Sequence, residues 1–335
     1  MRIAVHDPTG CGLGLALGLV EHGHAVGYEG PELQAGHAGG TPLCDTLVTR
    51  WLPRCARAPT ADDCDLLVAV DVFADFLTAL HGGVGSDTPW DPSDPFAPTR
   101  NPLAYPARLS RWLELAARAP ALAVVDMSDA EGPREVAFEE LPHAQCFARE
   151  AGHEGPWRPF PYLYNNVLLA IERLFAPSDW RMPEPRRTPR FDWVFCGTVR
   201  HPRYGDRRVR SIAHAHRRWP GLRGHVTVAA PFAEVLPLLQ QARTCLDLPG
   251  AGDLCFRVHE ALAVGTPLLR LAPGRVQLPP DVAACVVADP ADGALPCAKH
   301  VRAVYADHYA PAAAAAALLC GCAADRPTHL AADVR

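Results

Sequence analysis

A two-domain α/β protein built on parallel sheets is the fold that three features of this chain predict. Short apolar runs of strand length alternate with helical patterns in both halves. A proline-rich, charged stretch without periodicity lies between the halves. The 335 residues are long for one domain and comfortable for two, and with 49% hydrophobic and 21% charged residues each half can bury a core.

In the first half, "RIAV" (2–5) reads as the opening strand, and Gly10, Gly12 and Gly14 lie in the turn into a helix ending near His22. "HAVGYE" (24–29), "LLVAV" (66–70) and "ALAVVDM" (121–127) read as further strands, with a helix over Val72 to Leu80. The segment 82–106 carries too many prolines for a regular element and reads as a long loop, either a binding loop or a variable insertion. Residues 1–165 form the first domain and 166–190 the hinge, which includes "APSDWRMPEPRRTPR".

The second domain spans 191–320, with 321–335 as a loose tail. Phe191 to Cys196 is a strand ending in Gly197, and Tyr204 to Arg218 a helix. "HVTVAA" (225–230) is a strand and "AEVLPLLQQA" (233–242) a helix. "LDLPGAGDLCFRVHEALAVGTPLLRL" (246–271) then gives strand, glycine-rich turn, helix and strand. Asp253 is the expected N-cap, and Gly265 with Pro267 ends the helix near Val264. "CVVAD" (285–289) is the last strand, followed by a helical pattern around 297–309 and an alanine run after Pro311. Two such halves make two Rossmann-like domains facing a cleft, with no internal sequence repeat.

A formal net charge of -5 argues against a nucleic-acid binder, because no surplus of cations displaces phosphate counterions. Lys299 is the only lysine, and the abundance of Arg, Ala, Pro and Gly reads as a GC-rich, bacterial coding bias. Twelve cysteines without CxxC or zinc spacing read as reduced thiols of a cytoplasmic chain. No run is long enough to span a bilayer, which leaves peripheral membrane contact open. No metal site is expected.

Three places can carry chemistry. "HDPTGCGLG" (6–14) is a glycine-rich turn, but the third glycine of GxGxxG is replaced by Leu15. It is a structural turn, a dinucleotide site with Glu29 on the ribose, or the border of an acceptor site in which His6 or Asp7 acts as base. "FCGTVRHPRYGDRRVR" places Gly197 at a strand end, with Arg200 and Arg203 in the following loop. These arginines are diphosphate contacts, or part of a solvated basic face through Arg207, Arg208 and Arg210. In the 246–271 segment, Arg257 and Glu260 share a helix face near its start. They are a weak surface ion pair, or else Arg257 meets a phosphate at the helix N-terminus and Glu260 accepts from ribose hydroxyls.

"ARTCLDLPGAGDLCFRVHEALAVGTPLL" resembles the donor-binding segment of GT-B glycosyltransferases, both exostosin-like and of the glycogen-synthase type. The resemblance rests on Arg257, Glu260-Ala-Leu and Gly265-Thr266-Pro267. "VVDMSD" (124–129), "CFARE" and "RPFPYLY" resemble the end of an acceptor domain near its hinge. It implies a nucleoside diphosphate sugar on the second half, with Glu260 at the ribose, Arg257 near the diphosphate, and no bound metal. In retaining members an acid stands eight residues before that Glu. Here Gly252 occupies the position and Asp253 is one place off, so the stereochemical outcome stays open.

The expected function is therefore transfer of a sugar from a nucleoside diphosphate sugar to an acceptor hydroxyl. The glycine loops at Gly197 and Gly252–Asp253, with Arg200 and Arg203, would line the donor site. His6, Asp7, Asp126 and Asp129 are candidates for the acceptor base. The alternatives are an NAD(P)-dependent oxidoreductase using the first glycine turn and an inactive nucleotide-binding module.

Overall fold

The computed structural model describes residues 1–7, 12–29, 63–70, 114, 116–127, 143–149, 157–161, 188–200, 204–228, 230, 232–250, 254–274, 276, 278–291 and 293–324. The chain divides into two compact units, residues 1–169 with 311–335, and residues 170–310. The expected helix over 72–80, the 82–106 loop, and the hinge up to residue 187 lie outside the described residues.

The first unit holds a six-stranded parallel sheet. Its strands are β1 (Arg2–His6), β2 (Ala25–Glu29), β3 (Leu66–Val70), β4 (Leu122–Asp126), β5 (Gln145–Ala148) and β6 (Arg158–Pro159), in the order β2-β1-β3-β4-β5-β6. All five residues of β3 are buried, as expected of a central strand covered on both faces. The sequence predicted the first four strands. It carried no strand signal for β5 and β6, because four and two residues are too short for a period, and Pro159 fits only a sheet edge.

Helix α1 (Leu13–Glu21) is apolar on every side, with all residues from Leu13 to Leu19 buried. A helix of that kind needs cover opposite the sheet, and α7 (Pro311–Ala324) supplies it by packing on α1. A β-carbon added at Gly18 would overlap the Pro311 carbonyl, so the two backbones approach closely there. His22 Nε2 and the Ala312 carbonyl oxygen, 2.9 Å apart, and Arg158, which donates to the Gly321 carbonyl at 2.6 Å, hold the same helix. The sequence assigned 311–320 to the second domain and 321–335 to a loose tail. The structure places 311–324 in a helix of the first unit, because the apolar faces of α1 and the alanine run cover each other.

The second unit holds a five-stranded parallel sheet of β7 (Trp193–Cys196), β8 (Gly224–Thr227), β9 (Cys245–Leu246), β10 (Leu268–Leu269) and β11 (Val286–Val287). Their order is β11-β10-β9-β7-β8. Its helices are α2 (Gly205–Arg218), α3 (Phe232–Leu239), α4 (Phe256–Val264), α5 (Pro280–Ala283) and α6 (Ala298–Tyr309). Trp193, Phe195, Trp219, Leu246 and Leu269 form a core between sheet and helices. Helix α4 packs against α3 and α6, and its residues Val258 to Val264 are all buried.

Each unit is a Rossmann-like α/β layer. In both sheets the chain goes to one side of its first strand and then to the other. That reversal opens a crevice at the C-terminal strand ends between β1 and β3, and between β7 and β9.

Candidate functional site

The crevice of the second unit is bounded by Gly197 and Thr198 after β7, by Asp247 to Gly250 after β9, and by the start of α4. The helix starts later than the sequence predicted. Cys255, in an extended conformation, is the N-cap and makes no side-chain capping bond. The N-cap position expected at Asp253 is held by Cys255, and Gly252 and Asp253 lie outside the described residues. The other end agrees with the prediction. Gly265 takes the left-handed conformation at φ 87°, and Thr266 donates its backbone N–H to the Ala261 carbonyl at 2.9 Å.

Arg257 and Glu260 come together as a pair between Nη1 and Oε2. Their side chains are only 14% and 4% exposed, which rules out a solvated surface pair. Burial pushes the Glu260 carboxyl up to about 7, although the adjacent Arg257 charge works in the opposite direction. Burial also pushes the thiols of Cys196 and Cys255 up, to about 11 and about 12, so both are neutral near pH 7. Among the described residues Arg257 Nε has no hydrogen-bond partner, although it is buried. Such a guanidinium has a donor to spare for an anion.

A second buried pair, unforeseen from the sequence, lies at the same edge. Arg270, directly after β10, donates Nε to Asp247 Oδ2 at 2.7 Å, with the side chains 11% and 1% exposed. Cys255 Sγ donates to the other carboxylate oxygen of Asp247 at 3.6 Å. The signal in the sequence was a single Asp inside the apolar run "CLDL". Its partner comes from the neighbouring strand, 23 residues on, and spacing alone does not reveal that.

Arg208 is a further correction. The solvated basic face, one of the two readings the sequence left open for this stretch, does not hold at this residue, which is 7% exposed. It donates to the carbonyls of Pro249, Thr198 and Leu248 at 3.2, 2.9 and 3.1 Å. Its guanidinium also stacks on the Tyr204 ring at 4.3 Å. Arg207 is exposed and donates to the Gly250 carbonyl at 3.0 Å. Gly197 continues the sheet by donating to the Thr227 carbonyl at 3.1 Å, and Arg200 is exposed in the next loop. Arg203 lies outside the described residues.

On the first unit, Asp7 is fully buried after β1. Its Oδ2 accepts from Gly12 N and from the Tyr28 hydroxyl, each at 2.7 Å. The carboxylate thus ties the turn before α1 to β2. His6 Nδ1 lies 3.5 Å from Glu29 Oε2, with the His6 side chain 24% exposed. Asp126 is half-buried at the end of β4, and Asp129 lies outside the described residues.

Among the described residues no group of three or more His, Cys, Asp and Glu is placed to hold a metal, and no helix is long and apolar enough to cross a membrane.

No family model and no curated protein sequence matches the chain. Solved structures do. T4 phage BGT, in complex with UDP and Mn2+, is similar over 96% of both chains at 11% identity and a TM-score of 0.37. The DNA-modifying enzyme β-glucosyltransferase, solved with and without uridine diphosphoglucose, matches over 96% of this chain and 95% of its own, at 13% identity and a TM-score of 0.38. Sucrose-phosphate synthase from Thermosynechococcus elongatus matches over 94% of this chain and 92% of its own, at 14% identity and a TM-score of 0.31.

Proposed function

We propose that the protein is a GT-B glycosyltransferase that moves a sugar from a nucleoside diphosphate sugar to an acceptor hydroxyl. The observation that carries this reading is the buried Arg257–Glu260 pair on the helix that leaves the crevice between β7 and β9. An ion pair kept only for stability is poorly served by burial, because desolvation offsets most of the Coulomb attraction. Two opposite charges at the ligand-facing edge of a parallel sheet do suit a ligand carrying phosphate and paired hydroxyls.

In the proposed binding step a diphosphate takes the Arg257 guanidinium, aided by the N-terminal end of α4 and its dipole. Glu260, released from Arg257, then accepts from the ribose hydroxyls. As the bond from sugar to diphosphate breaks, negative charge grows on the departing phosphate, and Arg257 stabilises it more than it stabilised the ground state. Gly197 and the loop after β9 bring backbone close to the same place. Arg200, Arg203, Gly252 and Asp253 are proposed as further donor contacts from the loops that border it.

For an inverting reaction the acceptor base would come from the first unit. His6 suits that role better than Asp7, whose Oδ2 already accepts two hydrogen bonds in a buried position. The oxidoreductase reading is weakened by the same carboxylate. Asp7 occupies the Gly12 N–H, a donor at the turn where a dinucleotide pyrophosphate would lie, and its charge would repel that group.

The test is calorimetry of the intact protein with UDP, GDP, TDP and NAD, repeated on Glu260→Gln. Binding of one nucleoside diphosphate, weakened in the variant, supports the reading. Binding of NAD alone overturns it. Nucleotide binding without sugar transfer to any acceptor or water would leave the inactive binding module as the better description.

A further inference from the structure

The C-terminal edge of the second sheet is held by charges that do not balance. Among the described residues, three buried or nearly buried guanidinium groups meet two carboxylates. Arg257 is matched by Glu260 and Arg270 by Asp247. Arg208 makes no ion pair with any acid among the described residues. Its hydrogen bonds go to three backbone carbonyls, and its flat face lies on Tyr204.

The three carbonyls come from two different loops. Thr198 follows β7, whereas Leu248 and Pro249 follow β9. These are the strands on either side of the point where the sheet reverses its order. A planar fork with donors at fixed angles can hold three such acceptors at once, which a lysine ammonium on a flexible stem cannot do as precisely in register. Gly250 leaves room for this arrangement, because a β-carbon there would sit 3.3 Å from Arg208 Nη2.

We propose that Arg208 is a positioning residue of this site, which locks the two ligand-facing loops to each other and leaves the edge with a surplus positive charge that favours an anionic ligand. Each of its three nitrogens donates to a loop carbonyl and the side chain is nearly enclosed, so Arg208 is assigned to holding the loops rather than to contact with the ligand. Carbonyl dipoles lessen the cost of burying the cation without cancelling its charge. The surplus therefore acts over distance in a region of low dielectric. The identity of the ligand as a nucleoside diphosphate rests on the function proposed above; the locking of the loops does not.

The experiment uses the intact protein, Arg208→Met and Arg208→Lys. Hydrogen exchange by mass spectrometry reports the segments 197–200 and 247–250, and calorimetry reports UDP, GDP and TDP affinity. Both variants should exchange faster in both segments. Arg208→Met should lose about tenfold in affinity, the scale of one unit charge acting across roughly 10 Å at an effective dielectric of about 20. Arg208→Lys should recover part of that affinity, because the charge returns, without restoring slow exchange. Millimolar guanidinium added to Arg208→Met should restore some affinity, an effect that a general loss of stability would not give.

Folded Arg208→Met with unchanged exchange in both segments and unchanged affinity overturns the proposal. Faster exchange in only one loop would also overturn it, since the lock requires both. If the wild type binds none of the three nucleotides, the functional reading fails, and the exchange data alone still decide the lock. Should Arg208→Met not fold, Arg208→Lys and Tyr204→Leu (which removes the ring beneath the guanidinium) give the same two readouts.

Discussion

Glu260 accepts from Arg257 one turn earlier on α4, and the carboxylate is only 4% exposed. This arrangement makes the usual alanine test a poor one. Glu260→Ala would strand a buried guanidinium without its counter-charge, and breaking a buried pair from one side costs about 3–5 kcal/mol. Glu260→Gln keeps the shape and one acceptor. It should remain folded and lose a few kcal/mol at most of nucleoside diphosphate binding, on the rough scale of charge-assisted bonds. Calorimetry with UDP on the folded variant is the check, and wild-type affinity would assign Glu260 to structure alone.

Arg257→Lys should bind nucleotide nearly as well as wild type but turn over more slowly. A point charge retains attraction to phosphate and loses the paired geometry that the guanidinium offers to growing negative charge. The measurement is donor hydrolysis or transfer under saturating donor. A variant that changed only the KM for donor would show that Arg257 binds ground and transition states equally.

The pH dependence of stability follows from Glu260. Its carboxyl is raised from 4.5 to about 7 on folding, so the folded protein holds this proton where the unfolded chain has released it. The contribution from Glu260 is fully present below about pH 4.5 and is lost as pH rises to about 7. Its full size is roughly 3 kcal/mol. Glu260→Gln cannot titrate, so the difference in denaturation midpoint between variant and wild type should change across that window and be constant above it. Profiles that run parallel between about pH 4.5 and 7 would show that Arg257 keeps Glu260 ionised across that window.

Asp7 should behave as a structural acceptor. Asp7→Ala leaves the Gly12 N–H and the Tyr28 hydroxyl without their shared partner, each worth about 1–3 kcal/mol when buried. Thermal denaturation should report a clear loss of stability, while nucleotide affinity stays at the wild-type level. A stable Asp7→Asn variant that binds nucleotide normally and has lost transfer would instead make Asp7 the acceptor base.

Gly18→Ala tests the docking of α7. The added methyl would overlap the Pro311 carbonyl and force α1 and α7 apart, with an overpacking cost of about 1–3 kcal/mol. Limited proteolysis should then cut the C-terminal region sooner than in wild type. Unchanged proteolysis and an unchanged melting midpoint would show that the two backbones give way easily.

The alternation of apolar runs and helical patterns was enough to determine two parallel α/β layers, because strands buried on both faces read as unbroken apolar segments such as "LLVAV" and "ALAVV". The ends of α4 show the limit of local signals. Gly265 was legible because a left-handed backbone singles out glycine, whereas the start at Phe256 was not, since Cys255 caps it without a side-chain bond. The pairing of Arg257 with Glu260 was also legible, being a matter of three residues on one helix. Only the tertiary structure decided that this pair is buried, that Asp247 meets Arg270 from the next strand, and that Arg208 faces inward to two loops. It also decided that the alanine-rich helix 311–324 belongs to the first unit. The physical reason is common to all four. Periodicity along a chain records which face of an element is apolar, but desolvation and long-range partners are set by what packs against that face, tens to hundreds of residues away.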